Sequence, residues 1–177
     1  SVISIGWSAF YNCTSLTSIT IPDSVTDIEE GTFFGCTNLK NVYISDLESW
    51  CKINFGGFTS NPLCCGANLY VNRELATEIT IPDSVISIGD YAFKGSGLKS
   101  VIIPDGVTKI GEYAFQSCSE LTEITLPDSI TDIGIFAFSD CSSLKSVTIP
   151  EGITKIEKYT FDNCSDLAEI NISDNVT

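Results

Sequence analysis

Histidine is absent from the 177 residues. Its absence removes the commonest general base, the Ser-His-Asp and Cys-His arrangements that activate nucleophiles, and every zinc site that uses imidazole. No glycine loop of the P-loop or dinucleotide type is present either. Only paired carboxylates are left for acid-base chemistry, so the chain reads as a non-enzyme with no cofactor and no dedicated metal site. Positive charge is scarce: nine Lys and Arg stand against 23 Asp and Glu, a formal net charge of −14. Nucleic acid or an anionic membrane surface would be repelled, whereas a basic protein patch would not. No apolar run approaches the roughly 20 residues that a membrane span needs, and no basic stretch followed by an apolar one opens the chain. Methionine is missing even at position 1, and both ends fall in mid-pattern. These features predict a piece of a longer protein, with any signal or anchor outside it.

What is abundant is self-similarity, which is sought before local structure. Alignment on Pro22, Pro82, Pro104, Pro127 and Pro150, with Ser45 and Ser173 in the same place, gives spacings of 23, 37, 22, 23, 23 and 23 residues. The unit reads V-T-x-I-G-x-x-A-F-x-x-C-S-x-L-x-x-I-x-I-P-D-S. Its I-x-I segment alternates as a strand with one buried face does. Ile19/Ile21, Val42/Ile44, Ile79/Ile81, Val101/Ile103, Ile124/Leu126, Val147/Ile149 and Ile170/Ile172 therefore point inward. Strands this short are stable only when stacked in parallel, each repeat covering the apolar face of the next. Pro-Asp-Ser or Pro-Asp-Gly then turns the chain. The apolar pairs that follow, such as Val107/Ile110 and Ile130/Ile133, predict a second short strand or extended turn. A-F-x-x-C brings the chain back as a single helical or 3₁₀ turn, and Phe10, Phe33, Phe93, Phe115, Phe138 and Phe161 should stack as an aromatic spine.

The pattern from Val2 to Ser173 resembles the BspA-like bacterial leucine-rich repeats, whose units of about 23 residues have the form L-x-x-I-x-I-P-x-x-V-x-x-I-x-x-x-A-F-x-x-C. The resemblance implies a right-handed, curved solenoid, with short parallel strands on the concave face and turns or 3₁₀ segments on the convex face. It also implies display on the cell surface of bacteria or some protozoa and adhesion to host proteins. The expected fold is one leucine-rich repeat solenoid over residues 1–177, about seven repeats long, with a repeat-breaking insert around 46–77. The expected function is a surface-displayed or secreted protein-binding module whose partner is a host or matrix protein. A structural spacer without a specific ligand is the alternative. Uncapped end repeats make end-to-end self-association an expectation as well.

The 37-residue spacing is one repeat plus about 14 residues. Ser45-Asp-Leu-Glu48 has the form of a capping box, which predicts a short helix near 46–52. Ile53-Asn-Phe55 reads as a strand, and Leu69-Tyr-Val71, Asn72-Arg73 and Glu74 onward read as a hairpin. Insertions in solenoids map to loops, often on the binding face. Trp50, Phe55, Phe58, Tyr70 and Arg73 are of the types enriched at binding hot spots. Two readings stay open for them: recognition, or cover for the insert's own small core. On the concave face the outward residues are mostly hydroxylic, and Tyr43 and Ile102 are the only large ones, which adds both to the candidate contacts.

Five of the eight cysteines, Cys13, Cys36, Cys118, Cys141 and Cys164, share one repeat position and are expected to be buried free thiols, their Cβ vectors parallel and unable to bridge. Cys51, Cys64 and Cys65 lie outside the repeat pattern, and pairing of Cys51 with Cys64 or Cys65 is open. The acidic residues after the turn proline, Asp23, Asp46, Asp83, Asp105, Asp128, Glu151 and Asp174, should form a solvated row. Asp46 would leave that row if the insert helix starts there. Ca²⁺ binding by the row is open, though aspartate suits the turn geometry on its own.

Overall fold

The computed structural model describes residues 1–177. Two parallel ladders run along a solenoid of about seven turns. The first ladder holds the I-x-I strands. Ser18–Thr20, Asn41–Ile44 and Asn68–Val71 pair in parallel, as do Glu78–Thr80, Ser100–Ile102 and Glu123–Thr125, and Ser146–Thr148 pairs with Glu169–Asn171. Register is one repeat to one repeat, Val101 lying opposite both Ile79 and Ile124. The alternation does what the sequence pattern requires: Val42, Val101, Ile124 and Val147 are buried, while their strand neighbours face outward. Ile170 and Ile172, expected to point inward, are exposed, because in the last turn they have a neighbour on one side only.

The second ladder consists of two-residue strands: Ser4–Ile5, Asp27–Ile28 and Asn54–Phe55, then Ser87–Ile88, Lys109–Ile110 and Asp132–Ile133. The glycine after each of several of these isoleucines is needed for close approach. A Cβ on Gly134 would lie 2.5 Å from the Glu112 nitrogen and 2.7 Å from the Gly111 carbonyl carbon, backbone atoms of the preceding turn. Gly134→Ala is therefore expected to lose about 1–3 kcal/mol by forced overpacking. Gly6→Ala, where nothing lies within 4 Å, should be neutral. Urea unfolding of the two variants checks this, and equal midpoints would refute the close-approach account.

Between the ladders lies one core of 42 buried residues. The phenylalanines stack as expected within repeats but not as one spine. Phe10 and Phe33 stack at 5.4 Å, and Phe93, Phe115, Phe138 and Phe161 form a separate column at 5.4–5.5 Å. The layer in between buries Trp50, Phe55 and Leu63 instead. Its backbone shows why: the Phe33 amide donates to Thr59 as the Phe10 amide does to Thr32, which puts Ser60 where a phenylalanine would stand.

The insert is thus an irregular turn of the solenoid rather than a loop outside it. Asn54–Phe55 extends the second ladder and Asn68–Val71 the first. Its helix, Leu47–Cys51, is capped one residue later than the capping box predicts. Asp46, not Ser45, accepts from the amides of Glu48 and Ser49 and from the Ser49 hydroxyl. Those bonds hold the Asp46 carboxyl below its usual range, and they take Asp46 out of the acidic row. Glu48 turns outward to Lys52 and Ser84.

All eight cysteines are free. The thiols of Cys36, Cys118, Cys141 and Cys164 each donate to the carbonyl of the preceding repeat's phenylalanine at 3.1–3.2 Å. Cys65 does the same to Phe33 at 3.4 Å, so it belongs to this ladder, contrary to its placement outside the repeat. Ser96 stands where the fourth repeat lacks a cysteine and meets Cys118 at 3.2 Å.

Candidate functional site

The outward residues of a parallel ladder line up one above another, because in-register strands place identical repeat positions side by side. Over most of the first ladder these are Ser, Thr, Glu and Asn. At the irregular turn the register sets Tyr43 opposite Tyr70. The two half-buried rings lie 4.9 Å apart and tilted by 33°. Both are candidates from the sequence, one for the face and one for the insert, but spacing alone does not make them neighbours: they are 27 residues apart in a 23-residue repeat.

The hairpin that follows completes the site. Tyr70 and Val71 pair antiparallel with Leu75 and Glu74, leaving Asn72 and Arg73 as a two-residue turn. Both have left-handed backbones, φ 52° and 71°, the conformation of a type I′ hairpin turn. The hairpin closes one side of a groove of about 650 Å³, lined by Thr20, Tyr43, Ile44, Ser45, Tyr70, Asn72 and Arg73. Arg73 is the chain's one arginine, and no carboxylate pairs with it, whereas Lys52, Lys109 and Lys155 have acidic partners. Ser45 donates to both oxygens of Asp23 at 2.8 and 2.9 Å, which fixes the groove's rim.

The structure separates the other four candidates from this groove. Trp50 is buried, donates its indole N–H to the Ala92 carbonyl at 2.9 Å and meets Phe55 edge-on. Phe55 is buried in the same core. Neither can serve as a contact, because each replaces the apolar packing that the irregular turn lacks. Phe58 is exposed, with Lys94 Nζ 3.8 Å above its ring. Ile102 is exposed on the first ladder, in the separately paired block of strands beyond the hairpin.

Sequence reasoning missed a second set of aromatic columns. Tyr91, Tyr113, Phe136 and Tyr159 stack at 4.6–5.0 Å, and Tyr11 stacks on Phe34 at 5.3 Å. The signal was available in the repeat alignment, two residues before and one residue after the core phenylalanine. No group of three or more carboxylates and thiols is arranged to hold a metal ion, and no helix is long and apolar enough to cross a membrane.

The sequence pattern described as the BspA type Leucine rich repeat region matches the chain in six copies, over residues 1–63 and 65–177. No curated protein matches it by sequence. Among solved structures, a leucine-rich repeat protein from Bacteroides ovatus is 32% identical, with a TM-score of 0.68 over 99% of this chain and 42% of that one. A leucine-rich repeat protein from Eubacterium ventriosum is 26% identical, with a TM-score of 0.59 over 96% of this chain and 52% of that one. A leucine rich cell surface protein from Faecalibacterium prausnitzii shares the fold at 22% identity and a TM-score of 0.55, over 97% of this chain and 70% of that one. The chain spans about half or less of the length of the first two.

Proposed function

The chain belongs to the BspA type leucine-rich repeat family, and from that premise we propose that it is a protein-binding module of a bacterial surface or secreted protein, with the Tyr43, Tyr70 and Arg73 groove as its contact site. Family membership is what supports display at the surface and a host or matrix protein as partner in this reading. The groove itself is argued from chemistry. Tyrosine and arginine dominate binding hot spots because they combine large area with directional hydrogen bonding. The observation that carries the reading is the register that sets Tyr43 beside Tyr70, with an unpaired Arg73 on the same groove wall. A left-handed conformation costs an L-residue about 1–2 kcal/mol, and glycine is the residue such a turn prefers. Ten other residues with side chains share the left-handed backbone of Arg73, so its weight here is that glycine is the favoured substitute at a position whose guanidinium is unpaired and on the groove wall.

The same feature supplies a clean test. Arg73→Gly removes the guanidinium while improving the turn, so the variant is expected to fold with equal or higher stability. An array of matrix and serum proteins at physiological salt is probed with the natural chain, Arg73→Gly and Tyr43→Ala. A partner bound by the natural chain should be bound at least about 10-fold more weakly by each variant, as hot-spot truncation predicts. Equal binding by all three would place the contact elsewhere, and no partner at all would favour the spacer.

A further inference from the structure

On the side of the solenoid away from the first ladder, the repeat position two residues before the core phenylalanine has a left-handed backbone in six turns: Ser8, Gly31, Tyr91, Tyr113, Phe136 and Tyr159, with φ between 54° and 74°. In the last four the side chain is a ring, and the rings stack into a continuous column. In the first two it is a hydroxymethyl group or a hydrogen. The space a ring would fill is left as an open cleft of about 380 Å³, lined by Trp7, Ser8, Tyr11, Glu30, Gly31, Phe34 and Thr59.

Trp7, Tyr11 and Phe34 are 74%, 51% and 49% exposed, a degree uncommon for large aromatics. The Tyr11 and Phe34 rings stack at 5.3 Å, and Glu30 supplies a carboxylate on the same wall. A cation over an aromatic face is held by the ring quadrupole, and a nearby carboxylate adds to the attraction. The chain shows a cation held over a ring one turn further on, where Lys94 Nζ sits 3.8 Å above the Phe58 ring and donates to the Gln116 side-chain oxygen. The cleft over Ser8 and Gly31 has the aromatic walls and a carboxylate but no cation from the chain.

We infer that this cleft takes a lysine or arginine side chain from a partner protein, making it a second interaction surface distinct from the Tyr43 and Tyr70 groove. The net charge of −14 attracts a basic segment to the chain, and the aromatic walls decide where it seats.

A pentalysine peptide is the probe, at physiological salt, with the same peptide acetylated on every lysine as the uncharged control. Of the two tryptophans, Trp50 is buried and Trp7 exposed, so emission changes on titration report Trp7. The peptide is expected to shift that emission, and the acetylated peptide is not. Phe34→Leu and Tyr11→Leu leave the charge unchanged and should weaken binding about 3- to 30-fold, the range of cation–π contacts. Glu30→Gln, an exposed change that leaves the core intact, should weaken it as well, while Ile102→Thr, an exposed change on the first ladder, should not. Binding unchanged in Phe34→Leu and Glu30→Gln would overturn the assignment and leave general attraction to an acidic chain. Equal binding of the acetylated peptide would overturn it in favour of a merely apolar surface.

Discussion

Replacing Phe115 by alanine is expected to lower the stability of the chain by about 3–5 kcal/mol, the cost of removing a fully buried aromatic ring. The ring is 0% exposed and stacks on Phe93 and Phe138, 5.4 Å away on either side. The loss is therefore shared by two repeat interfaces. In a solenoid each repeat is stabilised chiefly by its neighbours, so a gap in the column also weakens the coupling between the turns before and after it. Phe161→Ala removes a half-buried ring stacked on one neighbour at 5.5 Å and should cost clearly less. Urea unfolding of both variants measures the difference. Equal losses would mean that the column does not carry the coupling.

Raising the pH from 8 to 10.5 is expected to destabilise the native chain by several kcal/mol. Burial pushes the thiol of Cys118 up to about 11 and that of Cys51 up to about 12 from an ordinary value near 9, because an ionised sulfur there would be stripped of water. A group whose native pKa is raised contributes stability that is fully present below its unfolded pKa. That stability is lost as the pH climbs toward the native pKa, since the unfolded chain ionises first. At about 1.36 kcal/mol per unit, these two thiols together remove about 4 kcal/mol by pH 10.5. Cys36, Cys64, Cys141 and Cys164 are raised too and act with the same sign. Cys65, lowered by the Cys64 thiol that donates to it, and Lys94, lowered by burial, act with the opposite sign. They are outnumbered. Thermal unfolding across this range should show a falling midpoint, and Cys118→Ala should flatten the slope. A midpoint independent of pH would contradict the buried thiol ladder.

The parts of the fold that were legible in the sequence are those fixed by a repeated physical requirement. Alternating isoleucine and valine placed the first ladder, and the spaced pair Val107/Ile110 announced the second. The five consensus cysteines are free thiols, and the four that follow another turn donate to a phenylalanine carbonyl of that turn. The hairpin at Asn72 and Arg73 was legible because two polar residues, the first an asparagine, separate the apolar Leu69–Val71 segment from the one after Glu74; the left-handed backbone of Arg73 was not, since glycine is the usual second residue of such a turn. The irregular turn was legible only as a departure. Nothing in a linear pattern shows that Ser60 replaces a core phenylalanine, that Trp50 fills the core there, or that Cys65 enters the ladder by a different spacing. Those outcomes depend on packing against turns 30 to 40 residues away. The candidate groove was half legible: residue types pointed to Tyr43, Tyr70 and Arg73, and to Trp50 and Phe55 for the same reason. Only the parallel register brings the first three together and buries the other two.

The claim that the Tyr43 and Tyr70 groove is the contact site is tested most directly by a hydrogen-exchange footprint of the chain with the strongest partner from the protein array. Slowed exchange is expected at residues 41–45 and 68–75, with the rest of the first ladder unchanged and the protection lost in Arg73→Gly. Protection confined to other turns, or none with a partner bound, would contradict the claim.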